Sequence, residues 1–134
     1  MITTLRTPHS TRHEAALSQE IIGAAIEVHR HLGPGLLESV YEAALAYEVG
    51  QMGLTVVRQK AAPVTYKGLR FDEGFRLDIL VSEQVVVELK CVETILPIHG
   101  AQVISYLKLT GFRLGLLINF KAPVLRHGIR RFVV

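Results

Sequence analysis

Asp78 sits in Phe75-Arg76-Leu77-Asp78-Ile79-Leu80-Val81, and Glu88 and Lys90 sit in Val85-Val86-Val87-Glu88-Leu89-Lys90-Cys91. These are charged groups in otherwise apolar, strand-forming runs. An isolated carboxylate inside a sheet costs several kcal/mol unless a cation or a hydrogen-bond network compensates it, so both acids call for a reason. Glu88 and Lys90 are two apart and share one face of a strand. If Ser82-Glu83-Gln84 forms a three-residue loop, Asp78 stands opposite Glu88 with about 5 Å between Cβ atoms. A two-residue loop would instead put the two acids on opposite faces. Carboxylates that close repel one another unless a divalent cation lies between them, and an all-oxygen set favours magnesium or manganese over zinc. Lys90 beside them could orient or deprotonate a water, or neutralise charge developing on a phosphate. The same residues also suit an internal ion pair of Lys90 with Glu88 or Asp78, which needs no metal.

The elements that must carry these residues are legible from periodicity. Thr11 and Glu14 have the form of a capping box, and Leu17, Ile21, Ala24, Val28 and Leu32 recur at helical steps up to Gly33-Pro34-Gly35. A second helix follows with Leu37, Val40, Tyr41, Ala44 and Leu45 as its stripe, ending near Met52-Gly53. Leu54 to Gln59 and Pro63 to Lys67 read as two strands, followed by a turn-rich segment reaching Gly74. Phe75 to Val81 alternates, with Phe75, Leu77, Ile79 and Val81 on one face and Arg76 and Asp78 on the other; Val85 to Val92 completes a hairpin. Pro97 opens a helix through Val103, Tyr106 and Leu107 that stops at Thr110-Gly111, and the strands Leu114 to Phe120 and Ile129 to Val133 follow. The expected class is α/β (α+β), a mixed central sheet flanked by helices in the order ααββββαββ, with Leu114 to Phe120 parallel to a hairpin strand.

Asp78, then Glu88-Leu89-Lys90 after nine intervening residues, behind two helices and ahead of a helix and a strand, resembles the PD-(D/E)XK nuclease superfamily. Gly35-Leu36-Leu37-Glu38-Ser39-Val40-Tyr41 resembles the signature of its GxxExxY family, and Gln102-Val103-Ile104-Ser105-Tyr106 is similar to the QxxxY element of RecB-type nucleases. The likeness runs from about Ile21 to Val133; one departure is Leu77, where the superfamily is named for proline. What the resemblance implies is a restriction-endonuclease-like core and metal-dependent hydrolysis of phosphodiester bonds in nucleic acid, DNA ahead of RNA. Asp78, Glu88, Glu38 and the Leu89 carbonyl would hold Mg2+ or Mn2+. Lys90 would position the attacking water, and Gln102, which shares a helix face with Tyr106, would hold a water or phosphate. Glu38 suits equally an ordinary first-turn glutamate favoured by the helix dipole, and Tyr106 an ordinary core aromatic. Holliday-junction resolvases share this core, and a symmetric junction substrate would require a homodimer. A binding or regulatory module that kept the fold without cutting is the reading from a different class.

Charge agrees with a phosphate-bearing partner. The net charge is +3, with six acids between His13 and Gly50, whereas Thr94 to Val134 contains no acid. That last segment carries Lys108, Arg113, Lys121, Arg126, Arg130 and Arg131. The first five are candidates, with Tyr106, for gripping nucleic acid, although a basic surface also serves solubility. The single cysteine, Cys91, excludes an internal disulfide and four-thiolate metal frameworks, and suits a reducing cytoplasm. No run of about 18 apolar residues occurs, so no membrane span is expected. One domain over 1–134 is expected, with 1–12 a flexible segment lacking the apolar core of a signal peptide. His29 and His31 diverge on their helix and do not form a chelate, Gly33-Pro34-Gly35 lacks the residues of a phosphate loop, and no nucleophile elbow is present.

Overall fold

Leu17, Ile21, Ala24 and Val28 are all buried and make one face of helix α1 (Arg12–Leu32). Gly33 and Gly35, with φ of 69° and 104°, then turn the chain into helix α2 (Glu38–Gln51), whose buried side carries Tyr41, Leu45 and Val49. Leu32 and Leu37, expected in the two stripes, are 40% and 74% exposed because they border this turn. The computed structural model describes Thr3–Leu5 and residues 12–134, so the expected cap at Thr11 lies outside the described residues.

Strands β1 (Thr3–Leu5), β2 (Val56–Tyr66), β3 (Leu69–Val81), β4 (Val85–Lys90), β5 (Leu114–Asn119) and β6 (Ile129–Val133) form one mixed sheet in the order β1-β6-β5-β4-β3-β2. The β4/β5 and β6/β1 pairs are parallel and the others antiparallel. Helix α3 (Pro97–Thr110) makes the crossover from β4 to β5, as a parallel pair requires. Val85, Val87, Leu89, Leu114, Leu116 and Ile118 point to α1 and α2, while Val86 and Leu117 point to Val103 and Leu107 of α3. β4 and β5 are therefore covered on both faces, which is why they read as continuous apolar runs. Helix α3 can lie this close because residue 115 is glycine: a Cβ there would stand 2.8 Å from Val103 Cγ1.

Four expectations are corrected. The strands expected at 54–59 and 63–67 are one, β2, and the segment to Gly74 is not turn but the first half of β3. Lys67 and Gly68, at φ of 47° and 83°, make the turn, and Tyr66↔Leu69, Thr65↔Arg70 and Val64↔Phe71 pair behind it. Pro63 does not end the strand, because β2 is at the sheet edge and the register slips between Ala62 and Val64. Second, the strict alternation of β3 fails at Asp78. Phe75 and Leu77 pack on the α3 side, whereas Ile79 and Val81 pack on the α1/α2 side. Third, Thr3–Leu5, expected within a flexible segment, pair with Arg130–Phe132 of β6. Fourth, the order is accordingly βααβββαββ, with a 3-10 turn, Leu125–Gly128, ahead of β6.

Candidate active site at the parting of two strands

The β3–β4 hairpin turns through Ser82 and Glu83, both left-handed at φ of 51° and 52°, with Gln84 N donating to Val81 O at 3.0 Å. Residues Ser82 to Gln84 make the three-residue loop, and the pairs Val81↔Val85, Leu80↔Val86 and Ile79↔Val87 follow. The next position brings Asp78 and Glu88 together, as the loop length predicts, and there the ladder stops. In its place, Asp78 N donates to Glu88 Oε1 at 3.1 Å and Leu89 N donates to Asp78 Oδ2 at 2.9 Å. The two carboxylates thus satisfy backbone donors that would be orphaned where the strands part. The N–H and C=O of one strand residue point the same way, so the Leu89 carbonyl also faces this gap, whereas Lys90 O accepts from Phe120 N at 2.9 Å on the far side.

Glu88 is 3% exposed. Burial, and then the Asp78 carboxylate, push its pKa up to about 9, with Lys90 opposing. Glu38 lies at the first turn of α2. Although the residue is exposed, local desolvation raises its carboxyl pKa, with the Asp78 charge next and Lys90 again opposing. Three carboxyl groups therefore share one field. Among the described residues no three His, Cys, Asp or Glu side chains already stand as a metal cluster. The inner pair has turned one oxygen each onto backbone N–H groups, and the other Asp78 oxygen, Oδ1, lies 3.5 Å from Gln59 Nε2.

Lys90 Nζ approaches Gln102 Oε1 at 3.5 Å, so the residue from β4 and the residue from α3 do meet. Among the described residues Lys90 makes no ion pair within 4.0 Å, which disfavours the internal ion-pair alternative. Tyr106, one turn beyond Gln102, stacks on Phe75 with ring centroids 4.3 Å apart. Its hydroxyl pKa is raised by burial and then by Glu88 and Asp78, which puts it at the rim of the carboxylate field. Cys91 packs against the α1/α2 core, on the face of β4 away from Glu88 and Lys90 as expected, where burial and then the Glu38 charge raise its thiol pKa.

The basic residues do not form one surface. Glu88 and Lys90 lie at the end of β4 that pairs with Leu117 and Asn119, whereas Arg113 precedes Leu114 at the other end of β5, on the order of 16 Å away. Arg113 pairs there with buried Glu14 at 3.3 Å, and Lys108 is in the last turn of α3, at that same far end. Lys121, Arg126 and Arg130 lie towards the site end. Lys121 pairs with Glu93 at 2.5 Å, and Arg130 Nη1 donates to His127 O at 2.9 Å and Ile129 O at 3.1 Å.

Three supports escaped the sequence. The Tyr41 hydroxyl donates to Gly33 O and accepts from Leu36 N at 3.1 Å, while its ring stacks on Phe120 at 4.6 Å. It thereby holds the turn that delivers Glu38. Buried Asn119 accepts from Val92 N at 3.0 Å and donates to Val92 O at 2.8 Å, fixing the chain just beyond Lys90. Glu42, 7% exposed, is held by Arg58 and Gln59 of β2. Apolar periodicity carries no signal for such polar contacts across elements.

A mixed sheet with helices on both faces makes this an α+β protein, with Asp78, Glu88 and Lys90 gathered where two strands part. The chain belongs to the PD-(D/E)XK nuclease superfamily, whose family model matches residues 15–132. No curated protein and no solved structure matches it. Among the described residues, no helix is long and apolar enough to cross a membrane.

Proposed function

We propose that this chain is a Mg2+- or Mn2+-dependent nuclease, of the GxxExxY type, that hydrolyses phosphodiester bonds of DNA in the cytoplasm. The observation that carries the reading is the pairing of Asp78 with Glu88 where the β3–β4 ladder ends, with Lys90 beside them and without an ion-pair partner among the described residues. A carboxylate raised to about 9 by burial, and then by the charge of its neighbour Asp78, is a site in want of positive charge. The donor set fits a hard divalent cation: carboxylate oxygens of Asp78, Glu88 and Glu38, and the Leu89 carbonyl, with no sulfur or imidazole. Such an ion would lower the pKa of a bound water and stabilise the negative charge that develops on the phosphoryl oxygens.

The chain's own residues do the rest. Lys90 Nζ presents a donor to the water that attacks in line, and Gln102 Oε1 restrains that amine. Gln102 and Tyr106 line the side of the gap where a phosphate would enter. Lys121, Arg126 and Arg130, at the site end of the sheet, grip the backbone without reading sequence.

Cleavage of labelled linear, circular and four-way junction DNA, with magnesium or manganese, tests this beside an identically purified Lys90→Ala variant. The expected outcome is metal-dependent cutting that falls by about 100-fold or more in the variant. Preference for the junction, with a dimer in solution, would assign a resolvase. Absence of cutting and of Mg2+ or Mn2+ binding by the wild type would overturn the enzyme reading.

A further inference from the structure

Beside the site, β2 adopts a backbone that its sheet does not demand. Gln59 has a φ of 51°, in the left-handed region that residues with a side chain avoid. Its neighbours Arg58 and Lys60 pair with Ile79 and Leu77, but Gln59 and Asp78 are skipped in the ladder. This is also where β3 changes the face on which its apolar residues pack. The cost is offset by side-chain contacts. Gln59 Nε2 donates to Glu42 Oε1 at 2.7 Å and lies 3.5 Å from Asp78 Oδ1. Glu42 is 7% exposed, and its other oxygen, Oε2, accepts from Arg58 Nη2 at 3.0 Å and Nε at 3.1 Å. Since Asp78 Oδ2 is bound to Leu89 N, the Gln59 amide is what addresses the remaining oxygen.

We propose that Gln59 is a positioning residue for Asp78, kept left-handed by buried Glu42, itself paired with the exposed Arg58, so that its amide orients Asp78 Oδ1 towards the gap. The proposal rests on the reading of Asp78 as a ligand of a divalent cation. Groups that hydrogen-bond a ligating carboxylate set its direction, and losing one commonly weakens metal binding by about 10- to 100-fold. Carried on an edge strand rather than on β3 or β4, the support would let Asp78 be aimed without altering the ladder that fixes Glu88.

The test is Mn2+ binding by titration calorimetry on the full chain, with thermal unfolding of the same samples. The proteins are wild type, Gln59→Gly, Gln59→Met and Asp78→Asn. Glycine relieves the left-handed strain while removing the amide, and methionine keeps the length and the strain without a donor. The expected result is a folded Gln59→Gly protein whose Mn2+ affinity is weaker by about 10-fold or more, with Gln59→Met equally weakened and Asp78→Asn weakest. Wild-type affinity in either folded Gln59 variant, with binding lost in Asp78→Asn, would overturn the positioning role and leave the metal reading standing. No binding by the wild type, or undiminished binding by Asp78→Asn, would overturn both. Failure of both Gln59 variants to fold would make the residue structural and end the proposal.

Discussion

Glu88 couples the site to pH. In the folded protein, burial and the Asp78 charge raise its pKa from 4.5 to about 9, so between those values it holds a proton that the unfolded chain has released. The folded state binds more protons there, and stability falls as pH rises. Glu88's contribution is thus complete in acid and lost as the pH rises through about 9. The unfolding midpoint of the metal-free protein should therefore decline from pH 5 to pH 9, and Glu88→Gln, which cannot titrate, should flatten that decline. Glu38, raised in the same direction, leaves the variant a residual slope. An unchanged slope in Glu88→Gln would show that this carboxyl does not hold the proton. The same proton must leave when a cation binds, since ligation needs the carboxylate. Mn2+ titration at neutral pH should release protons, seen as heats that differ between buffers of different ionisation enthalpy. Buffer-independent heats would remove Glu88 from the ligand set.

Turns and close approaches decide how the elements aim these residues. The link between α1 and α2 is held by one phenol, Tyr41, which bridges Gly33 O and Leu36 N. Tyr41→Phe keeps the stack on Phe120 but leaves those groups without their partner, so unfolding should report a loss of about 1–3 kcal/mol. Nuclease activity should fall further than global stability does, because Glu38 is the first residue of α2 beyond that turn. Activity that tracks only the folded fraction would mean Glu38 needs no such aim. At Gly115 the limit is space. A Cβ would lie 2.8 Å from Val103 Cγ1 and 3.2 Å from Leu107 Cδ1, so Gly115→Ala should push α3 outward and cost about 1–3 kcal/mol in chemical denaturation. Since α3 carries Gln102 and Tyr106, a stable Gly115→Ala protein of unaltered activity would show that the helix has room to shift.

Across the whole molecule, positive charge is divided between two ends of the sheet. Lys108 and Arg113 sit at the end remote from Lys90, whereas Arg126 lies in the 3-10 turn that follows β5 at the site end. If nucleic acid lies across the site, Arg126→Glu should weaken binding and lower the slope of log affinity against log salt by about 1. Lys108→Glu makes the same change in net charge and should leave the slope unaltered. Fluorescence anisotropy with a labelled duplex at several salt concentrations distinguishes the two; equal effects would mean that net charge alone, rather than a sided surface, attracts the partner.

Much of this was written in the chain. The helices over Leu17 to Val28 and Ile98 to Leu107 and the buried β4 and β5 follow from local periodicity, whereas the loop that sets Asp78 against Glu88 was open between two and three residues until the register of β3 on β4 fixed it at three. Periodicity is a property of neighbours a few residues apart. What only the tertiary structure decided depends on groups far apart in sequence. Pro63 reads as a strand break until β2 is seen to be an edge, and Lys108 and Arg113 read as part of one basic surface until β5 carries Arg113 to the far end. Gln59 is an unremarked polar residue in the chain, and it reaches Asp78 only because β2 pairs with β3 while α2 lays Glu42 across both. Periodicity reports which face of an element is apolar; hydrogen bonds between elements depend on register and approach, and those are settled when the sheet closes.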